Sequence, residues 1–380
     1  MSTPEPRLAE LFECVRAWPL GESEAPLCGH LRADPDDFVV EERLRHDPLI
    51  TPAPDPKHCW VWIEKVGANT EWVGRELARQ AGVAARDVGW AGLKDRHART
   101  RQWFSVPGAD ASRCRSLETL AGEGWRVLAV APQARKLRQG AGVGNRFWIT
   151  LRDVALRVDS RAPALDPSGA RVDPIDGVLT RVAARLRTHG ALNLFGPQRF
   201  GHGLGNLPRA LALFAGRSRP RPHQRGLYLS AARAFLFNQI AAARHSADTW
   251  LIPWPGEPLQ LDGSHSVFVF DGLDPGVGPR VTAGDLHPTG PLVGRGDSLA
   301  SGLAEAGEAD ALAAFDDVVA GLHAGGVDAA RRALRVNVQG LAITRPDPTS
   351  ITLDFQLDAG AYATVILGAL IGLTWLAGDD

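Results

Sequence analysis

A single carboxylate surrounded by positive charge is the feature of this sequence best suited to chemistry. The eight residues from Lys94 to Arg101 hold five positively ionisable side chains and one acid, Asp95. A solvated hairpin tip often has this composition. The alternative is a catalytic carboxylate inside a phosphate-binding loop, since clustered cations bind the phosphates of a polyanion. The local residues leave both interpretations open.

Regular elements on both sides are expected to hold this loop in place. Runs rich in β-branched and aromatic residues predict a strand that leads into it, 87–93, and a strand that leaves it, 102–106. Upstream, residues 69–82 have the periodicity of a helix, with Thr70 as its cap and Gly82 at its end.

The rest of the chain changes from strands to helices and back. Up to about residue 155 the pattern is mostly that of strands, and a segment rich in proline and aspartate, 161–177, marks a boundary. Helical patterns follow, and strand character returns at 350–360 before an apolar terminal helix. A helical middle between two strand-rich parts predicts one domain inserted into another.

Length and charge narrow the class of protein. A chain of 380 residues is too long for one ordinary core, so we expect two domains. The formal net charge of −1 excludes a histone-like polycation but permits a local basic cleft. Two further basic clusters, 135–140 and 216–226, would extend such a cleft into a nucleic-acid surface.

Cysteines and hydropathy indicate the compartment. The four cysteines are far apart and form no C-x-x-C pair, which argues against a structural zinc site and a disulfide framework and fits a reducing cytosol. The uncharged stretch 361–377 has 17 residues, which is short of the roughly 20 that span a bilayer. We therefore expect a cytoplasmic protein with no membrane segment.

No pattern calls for a cofactor. The chain has neither a G-x-x-x-x-G-K-[ST] phosphate loop nor an H-E-x-x-H zinc pattern, and its eleven histidines are scattered. The glycine clusters at 140–145 and 201–206 are weak signals by themselves. We expect no nucleotide cofactor, no other cofactor and no metal.

Seven longer segments follow one another along the chain: LRADPDDFVVEE, NTEWVGRELA, AGLKDRHARTRQWFSV, GNRFWITLR, LNLFGPQRFG, LSAARAFLFNQI and LDAGAYATVI. In this fixed order they resemble the motifs of the TruD family, the synthases that convert uridine 13 of tRNA into pseudouridine. The match extends from about residue 27 to about residue 371, nearly the whole chain.

The resemblance implies an α+β fold. A pseudouridine-synthase catalytic domain with a mixed β-sheet would comprise residues 1–183 and 335–380. A largely helical insertion domain specific to the family would interrupt it at residues 184–334. This organisation agrees with the strand, helix and strand order read from the residues.

The resemblance also assigns roles to Asp95 and Arg32. Asp95 matches the catalytic aspartate, which acts as a nucleophile or a base near C1′ or C2′ of the ribose. Arg32 matches the basic residue that pairs with it, where many relatives carry lysine. Without the resemblance, the alternatives are a turn aspartate and a surface arginine.

Four residues are expected to support this pair. Phe38 and Glu41 match the wall and support of the active site, or else are ordinary core and solvent-facing positions of a strand. Asn145 and Phe147 match a conserved pair, and their spacing puts both side chains on one face of a strand. The amide would bind the aspartate or the flipped uracil, and the ring would stack on the base unless it only fills the core.

The expected partner is tRNA, bound by a monomer of this chain. Basic side chains in the Asp95 loop and in the insertion are expected to contact RNA phosphates or to support loop structure. These residues are Lys94, Arg96, His97, Arg101 and Arg199.

The terminal helix departs from the family pattern. Relatives usually carry Arg-Glu where this chain has Gly368 and Ala369. If those charges fix the helix or touch RNA in the relatives, the support is lost here.

The function that these observations predict is a cofactor-independent RNA-modifying isomerase that converts uridine into pseudouridine in tRNA at position 13. One alternative is a synthase of the same family that acts on another RNA. A second is a catalytically silent RNA-binding protein on this fold. A glycoside hydrolase would need a second catalytic acid, which no motif nominates.

Overall fold

The computed structural model describes residues 5–21, 25–51, 53–157, 172–264 and 266–373. In these ranges the helices are α1 (Glu5–Arg16), α2 (Thr70–Gln80), α3 (Ala111–Glu118), α4 (Pro174–His189), α5 (Asn206–Phe214), α6 (Pro222–Ser246), α7 (Val277–Ala283), α8 (Gly302–Leu312), α9 (Asp316–Gly325) and α10 (Ala363–Ile371). The strands are β1 (Leu27–Leu31), β2 (Phe38–Leu44), β3 (His58–Lys65), β4 (Gly89–Trp90), β5 (Arg99–Pro107), β6 (Ala121–Gly122), β7 (Trp125–Gln133), β8 (Gly142–Leu156), β9 (Ala191–Leu192), β10 (Glu257–Leu261), β11 (Val267–Phe270), β12 (Leu286–Leu292), β13 (Ala330–Ala333), β14 (Arg335–Val336), β15 (Gln339–Asp347) and β16 (Ser350–Asp358). The predicted boundary segment 161–177 lies mostly outside the described residues.

The chain folds into two compact units. The sheet unit comprises Gly29–Ala155 and Gln339–Gly360, and the helical unit comprises Met1–Cys28, Leu156–Val338 and Ala361–Asp380. The predicted domain boundaries, at 183/184 and 334/335, differ from the boundaries of the two compact units. The extent of the insertion, 184–334, therefore stays a prediction.

The sheet unit is built on one mixed β-sheet. Its strand order is β15-β16-β8-β2-β5-β3-β7-β6, with β1 paired to β8 and β4 paired to β5. β2 and β5 run parallel, whereas the β2–β8, β3–β5 and β8–β16 pairs are antiparallel. A mixed sheet combined with helices confirms the predicted α+β class.

Strand alternation divides this sheet into two faces with different chemistry. Successive side chains of β2 point to opposite faces, so Phe38 and Val40 lie on one face and Glu41 on the other. The face of Phe38, here called the buried face, continues through Ile63 and Phe104, which pack with α2 and α3 in one apolar cluster. The face of Glu41, here called the charged face, carries mostly arginine, acidic and tryptophan side chains.

The start of α2 differs from the sequence expectation. Asn69, not Thr70, is the N-cap, so the prediction that Thr70 caps this helix was wrong. The Thr70 hydroxyl instead accepts a hydrogen bond from the backbone N–H of Lys94 at 3.0 Å and donates one to Gln102 Oε1 at 2.9 Å. A tertiary contact has replaced the local cap.

The helical unit packs around α6. This 25-residue helix is buried along most of its length, and Phe235 and Phe237 on it are essentially inaccessible to solvent. Two small sheets, β11-β10-β12-β13 and β9-β14, belong to the same unit. Among the described residues, no helix combines the length and the apolar character needed to cross a bilayer.

Gly368 in α10 has a packing role in this chain. A Cβ atom built at this glycine would lie 2.9 Å from Leu373 Cγ and 3.1 Å from Leu20 Cβ. The backbone N–H of Leu373 donates to the carbonyl of Leu20 at 2.7 Å, which holds the two segments together. Any side chain at position 368 would therefore disturb this close apolar contact.

Candidate active site

Asp95 lies in the loop between β4 and β5, where Arg32 binds it. Arg32 Nη2 donates to Asp95 Oδ2 at 2.9 Å, so the ion pair expected from the sequence is present. The other carboxylate oxygen, Oδ1, accepts from the backbone N–H of His97 at 3.0 Å. The Asp95 side chain is 36% exposed. A charged carboxylate is therefore held in one orientation while part of it still faces solvent.

Arg32 is positioned by the tight segment that joins β1 to β2. It has a φ of +63°, a left-handed conformation that non-glycine residues seldom adopt. Downstream, Asp34 caps a 3-10 turn, and the carboxylate of Asp37 accepts from Arg152 Nε at 2.9 Å and from Nη2 at 2.6 Å. These contacts fasten the turn to β8 and fix the point from which Arg32 extends.

Aromatic rings support the Arg32 guanidinium. Its Cζ lies 4.5 Å from the centroid of the Phe38 ring, a cation–π contact. Phe38 meets Phe147 edge to face with centroids 6.4 Å apart, and Phe147 stacks on Phe355 at 5.4 Å. Phe147 is only 6% exposed. Phe38 thus contacts the cation and Phe147 packs behind Phe38, and both rings lie on the buried face.

Asn145 is on the same strand face as Phe147. It pairs in register with Glu42 of β2 and with Leu357 of β16. Its Oδ1 atom is buried, and none of the described residues donates a hydrogen bond to it. Buried side-chain oxygens in proteins nearly always have a partner. Asn145 Oδ1 is therefore a buried acceptor without a partner among the described residues.

Lys94 forms an ion pair with Glu42, an acid that was not predicted as a residue of the site. Its Nζ lies 3.1 Å from Glu42 Oε1, and both side chains are largely buried. Glu42 Oε2 also accepts from the backbone N–H of Trp103 at 3.0 Å. The pair links the Asp95 loop to β2 and leaves the Lys94 charge already neutralised.

Arg101 and Glu41 lie on the charged face, opposite Phe38 and Phe147. Arg101 Nε donates to Glu64 Oε2 at 3.0 Å, and its Nη1 reaches Glu41 Oε2 at 3.4 Å. Burial alone would raise the pKa of Glu64, but the hydrogen bonds from Arg101 and Arg126, with the charge of Arg99, outweigh it and lower that pKa. The structure therefore brings Arg101 and Glu41 together in a separate ionic cluster.

Arg96 and His97 are the exposed basic residues of the loop tip. Arg96 Nε donates to the backbone carbonyl of Gly67 at 3.0 Å, which uses one of its donors. His97 contributes its backbone N–H to Asp95 and leaves its ring at the surface. Both follow Asp95 directly in the same turn, and their contact with RNA stays a prediction.

Arg199 belongs to the helical unit. Its Nε donates to the hydroxyl of Tyr362 at 2.8 Å and its Nη1 to Ser230 Oγ at 3.1 Å. Its guanidinium lies 5.4 Å from the Phe195 ring centroid. The side chain is thus integrated into the packing of that unit.

Comparison with known proteins identifies the family. The sequence model described as tRNA pseudouridine synthase D (TruD) matches residues 20–207 and 217–369. The tRNA pseudouridine synthase D of Methylococcus capsulatus is 41% identical over 356 residues, covering 93% of this chain and 94% of that relative. The protein of the same name from Nitrosococcus oceani is 40% identical over 343 residues, covering 90% of each.

A solved structure has the same fold. The crystal structure of the putative tRNA pseudouridine synthase D from Methanosarcina mazei superposes with a TM-score of 0.71 and covers 98% of both chains, at 19% sequence identity. The fold class and the family resemblance expected from the sequence are both confirmed. This chain belongs to the tRNA pseudouridine synthase D family.

Proposed function

We propose that this enzyme converts uridine to pseudouridine in tRNA, at position 13, with Asp95 as its catalytic carboxylate. The observation that carries the proposal is the partly exposed Asp95 carboxylate bound by Arg32 in a chain of this family. The two curated relatives described above are tRNA pseudouridine synthases by name.

The reaction needs one anionic group and no electron transfer. The N1–C1′ bond of uridine breaks, the uracil turns, a C5–C1′ bond forms, the proton on C5 leaves and N1 takes up a proton from solvent, so the product is an isomer. Asp95 acts on the ribose as a nucleophile at C1′ or as a base at C2′. Arg32 binds Oδ2 and the His97 amide binds Oδ1. Each oxygen keeps a lone pair for the substrate.

We propose that the unpartnered Asn145 Oδ1 accepts the N3–H of the flipped uracil. Cytosine has no hydrogen at N3, so this contact would favour uridine. Phe38 and Phe147 are the proposed wall of the base pocket, because an extruded base needs an apolar surface. The small exposed area of Phe147 suits a supporting contact along the edge of the base.

The proposed RNA contacts at the loop are Arg96 and His97, whose side chains are exposed. For Lys94 and Arg101 we propose a supporting role, because each already forms an ion pair. Arg199 stays a predicted RNA contact of the helical unit. The monomeric state and the cytoplasmic location also stay predictions. Light scattering of the purified protein measures its oligomeric state.

Tritium release tests the reaction. The enzyme is incubated with tRNA transcripts labelled at C5 of uridine, and released tritium is counted for the native chain and for Asp95→Asn. We expect release from the native chain and none above background from the variant. No release from any tRNA would refute the proposed reaction. Release that is undiminished in the variant would remove Asp95 from its role.

The same assay separates the alternatives. Loss of release from a transcript in which uridine 13 is replaced by cytidine supports the proposed position. Undiminished release from that transcript points to another uridine, and release only from a different RNA points to another substrate. Tight tRNA binding without release would favour a silent RNA-binding protein.

A further inference from the structure

The turn that carries Asp95 rests on a buried lysine that the proposed mechanism does not use. Lys65 ends β3, and its ammonium donates to the backbone carbonyl of Asp95 at 2.8 Å and lies 3.4 Å from the carbonyl of Lys94. Lys65 is 1% exposed. Lysines are almost never fully buried unless their charge is compensated. The burial of Lys65 is therefore unusual and points to a specific role for its contact with the turn.

The segment that follows Lys65 adds more contacts to the same turn. The backbone N–H of Gly67 donates to the carbonyl of Arg96 at 3.0 Å, and Arg96 Nε returns a bond to the carbonyl of Gly67 at 3.0 Å. Thr70 Oγ1 accepts from the backbone N–H of Lys94. Residues 65–70 therefore hold the turn at three consecutive positions, 94, 95 and 96.

Lys65 is the charged member of this frame. The charged groups that act on it are the Asp95 carboxylate, which favours its protonated form, and the Lys94 ammonium, which opposes it. Burial is the strongest influence and lowers the pKa of Lys65 to about 8. The ammonium is therefore present at neutral pH and is lost over a mildly alkaline range.

We infer that Lys65 is a positioning residue for the reaction proposed above. Its ammonium fixes the main chain of the Asp95 turn from inside the sheet unit and supplies, after Arg32, a second positive charge near the carboxylate. The inference rests on the proposed function, because it concerns the placement of the group that would act on the ribose.

Lys65→Met tests this role, since methionine has a similar length and no charge. Lys57→Met is the matched control, because Lys57 is exposed and its nearest acid, Asp55, is 3.4 Å away at the surface. We expect Lys65→Met to lower kcat for tritium release about 10–100-fold with KM for tRNA nearly unchanged. The control should match the native enzyme. A folded Lys65→Met variant with native kcat would overturn the inference.

Hydrogen exchange follows the turn without any RNA. Amides of a peptide covering residues 93–98 should exchange at least about fivefold faster in Lys65→Met than in Lys57→Met. Equal exchange in the two variants would contradict a positioning contact. If the native enzyme releases no tritium, the proposed function fails, while this measurement still decides whether Lys65 holds the turn.

A pH profile tests the native chain, even if Lys65→Met does not fold. We expect kcat to fall as pH increases through about 8. Over the same range the hydrogen-exchange rate of amides 93–98, corrected for the intrinsic rise of amide exchange with pH, should increase. The residual activity of Lys65→Met should lack this alkaline decline. A native profile that stays flat to about pH 9.5, more than one unit above that pKa, would overturn the role of the ammonium.

Discussion

Two carboxylates of the sheet unit, Asp95 and Glu64, both form ion pairs with arginine, yet they differ in the number of arginines and in exposure. Asp95 is bound by one guanidinium and remains 36% exposed. Glu64, on the charged face, forms ion pairs with Arg99, Arg101 and Arg126, and its side chain is 5% exposed. The number of nearby cations therefore does not identify a reactive carboxylate. The proposed role of Asp95 rests instead on its exposed carboxylate, which keeps acceptor capacity for a substrate.

The largest expected effect comes from Asp95 itself. Asp95→Asn keeps the size of the side chain and removes its charge, and we expect kcat to fall by at least about 10³-fold, as for loss of catalytic groups in other enzymes. Glu64→Gln is the matched change at the other carboxylate. Single-turnover tritium release should show a loss below tenfold for it. Comparable losses in the two variants would break the distinction between them.

Arg32 is expected to have the next largest effect. Arg32→Met leaves Asp95 without its guanidinium but keeps apolar contact with Phe38, so we expect a loss of about 10²-fold in kcat. Arg32→Lys keeps the charge and should recover most of the rate. Equal damage by both variants, measured at saturating tRNA, would show that geometry rather than charge is essential.

Glu64 should affect stability more than rate. Glu64→Gln leaves three arginines without their shared anion, and because those arginines are partly solvated we expect a loss of about 1–3 kcal/mol in the free energy of unfolding. Urea titration of the native chain and the variant measures it. A variant as stable as the native chain would remove Glu64 from its structural role.

The pH dependence of that loss has a definite sign. The pKa of Glu64 is lowered in the folded state from an ordinary value of 4.5, so the unfolded chain binds its proton more readily. The stabilisation is therefore present above about pH 4.5 and disappears as pH falls through the folded value. The difference between the native chain and Glu64→Gln should shrink on acidification.

The smallest effect is expected at the loop tip. Arg96→Ala should weaken tRNA binding several-fold and reduce the slope of log affinity against log salt by about 1, because one phosphate contact is lost. Lys94→Ala should leave the slope nearly unchanged, since its charge is spent on Glu42. Filter binding at several salt concentrations distinguishes the two, and identical slopes for both variants would contradict the assignment.

The alternation of side chains along the strands predicts residues of this site that clusters of charge in the sequence do not reveal. In β2, Glu42 falls in phase with the buried Phe38 and Val40, and in β3, Lys65 falls in phase with the buried Ile63. A charged residue in a buried phase indicates an internal partner. The same alternation places Arg101 on the face opposite Phe38. Clustering of charge along the chain does not show this separation.

Other features depended on tertiary structure or on the family resemblance. Arg32 and Asp95 are 63 residues apart, and no local pattern connects them, so their pairing was expected only from the motifs. Thr70 has the residue type of a helix cap, but its hydroxyl is used by Lys94 across the fold. Helix-cap propensity is a local preference, and a loop that needs a buried acceptor can override it.

Mapping the product nucleotide tests the central claim most directly. Unlabelled tRNA is treated with the native enzyme or with Asp95→Asn, and pseudouridine is then located by carbodiimide modification and primer extension. We expect a new stop one nucleotide to the 3′ side of position 13 with the native enzyme and none with the variant. A stop elsewhere, or the same stop with both proteins, would contradict it.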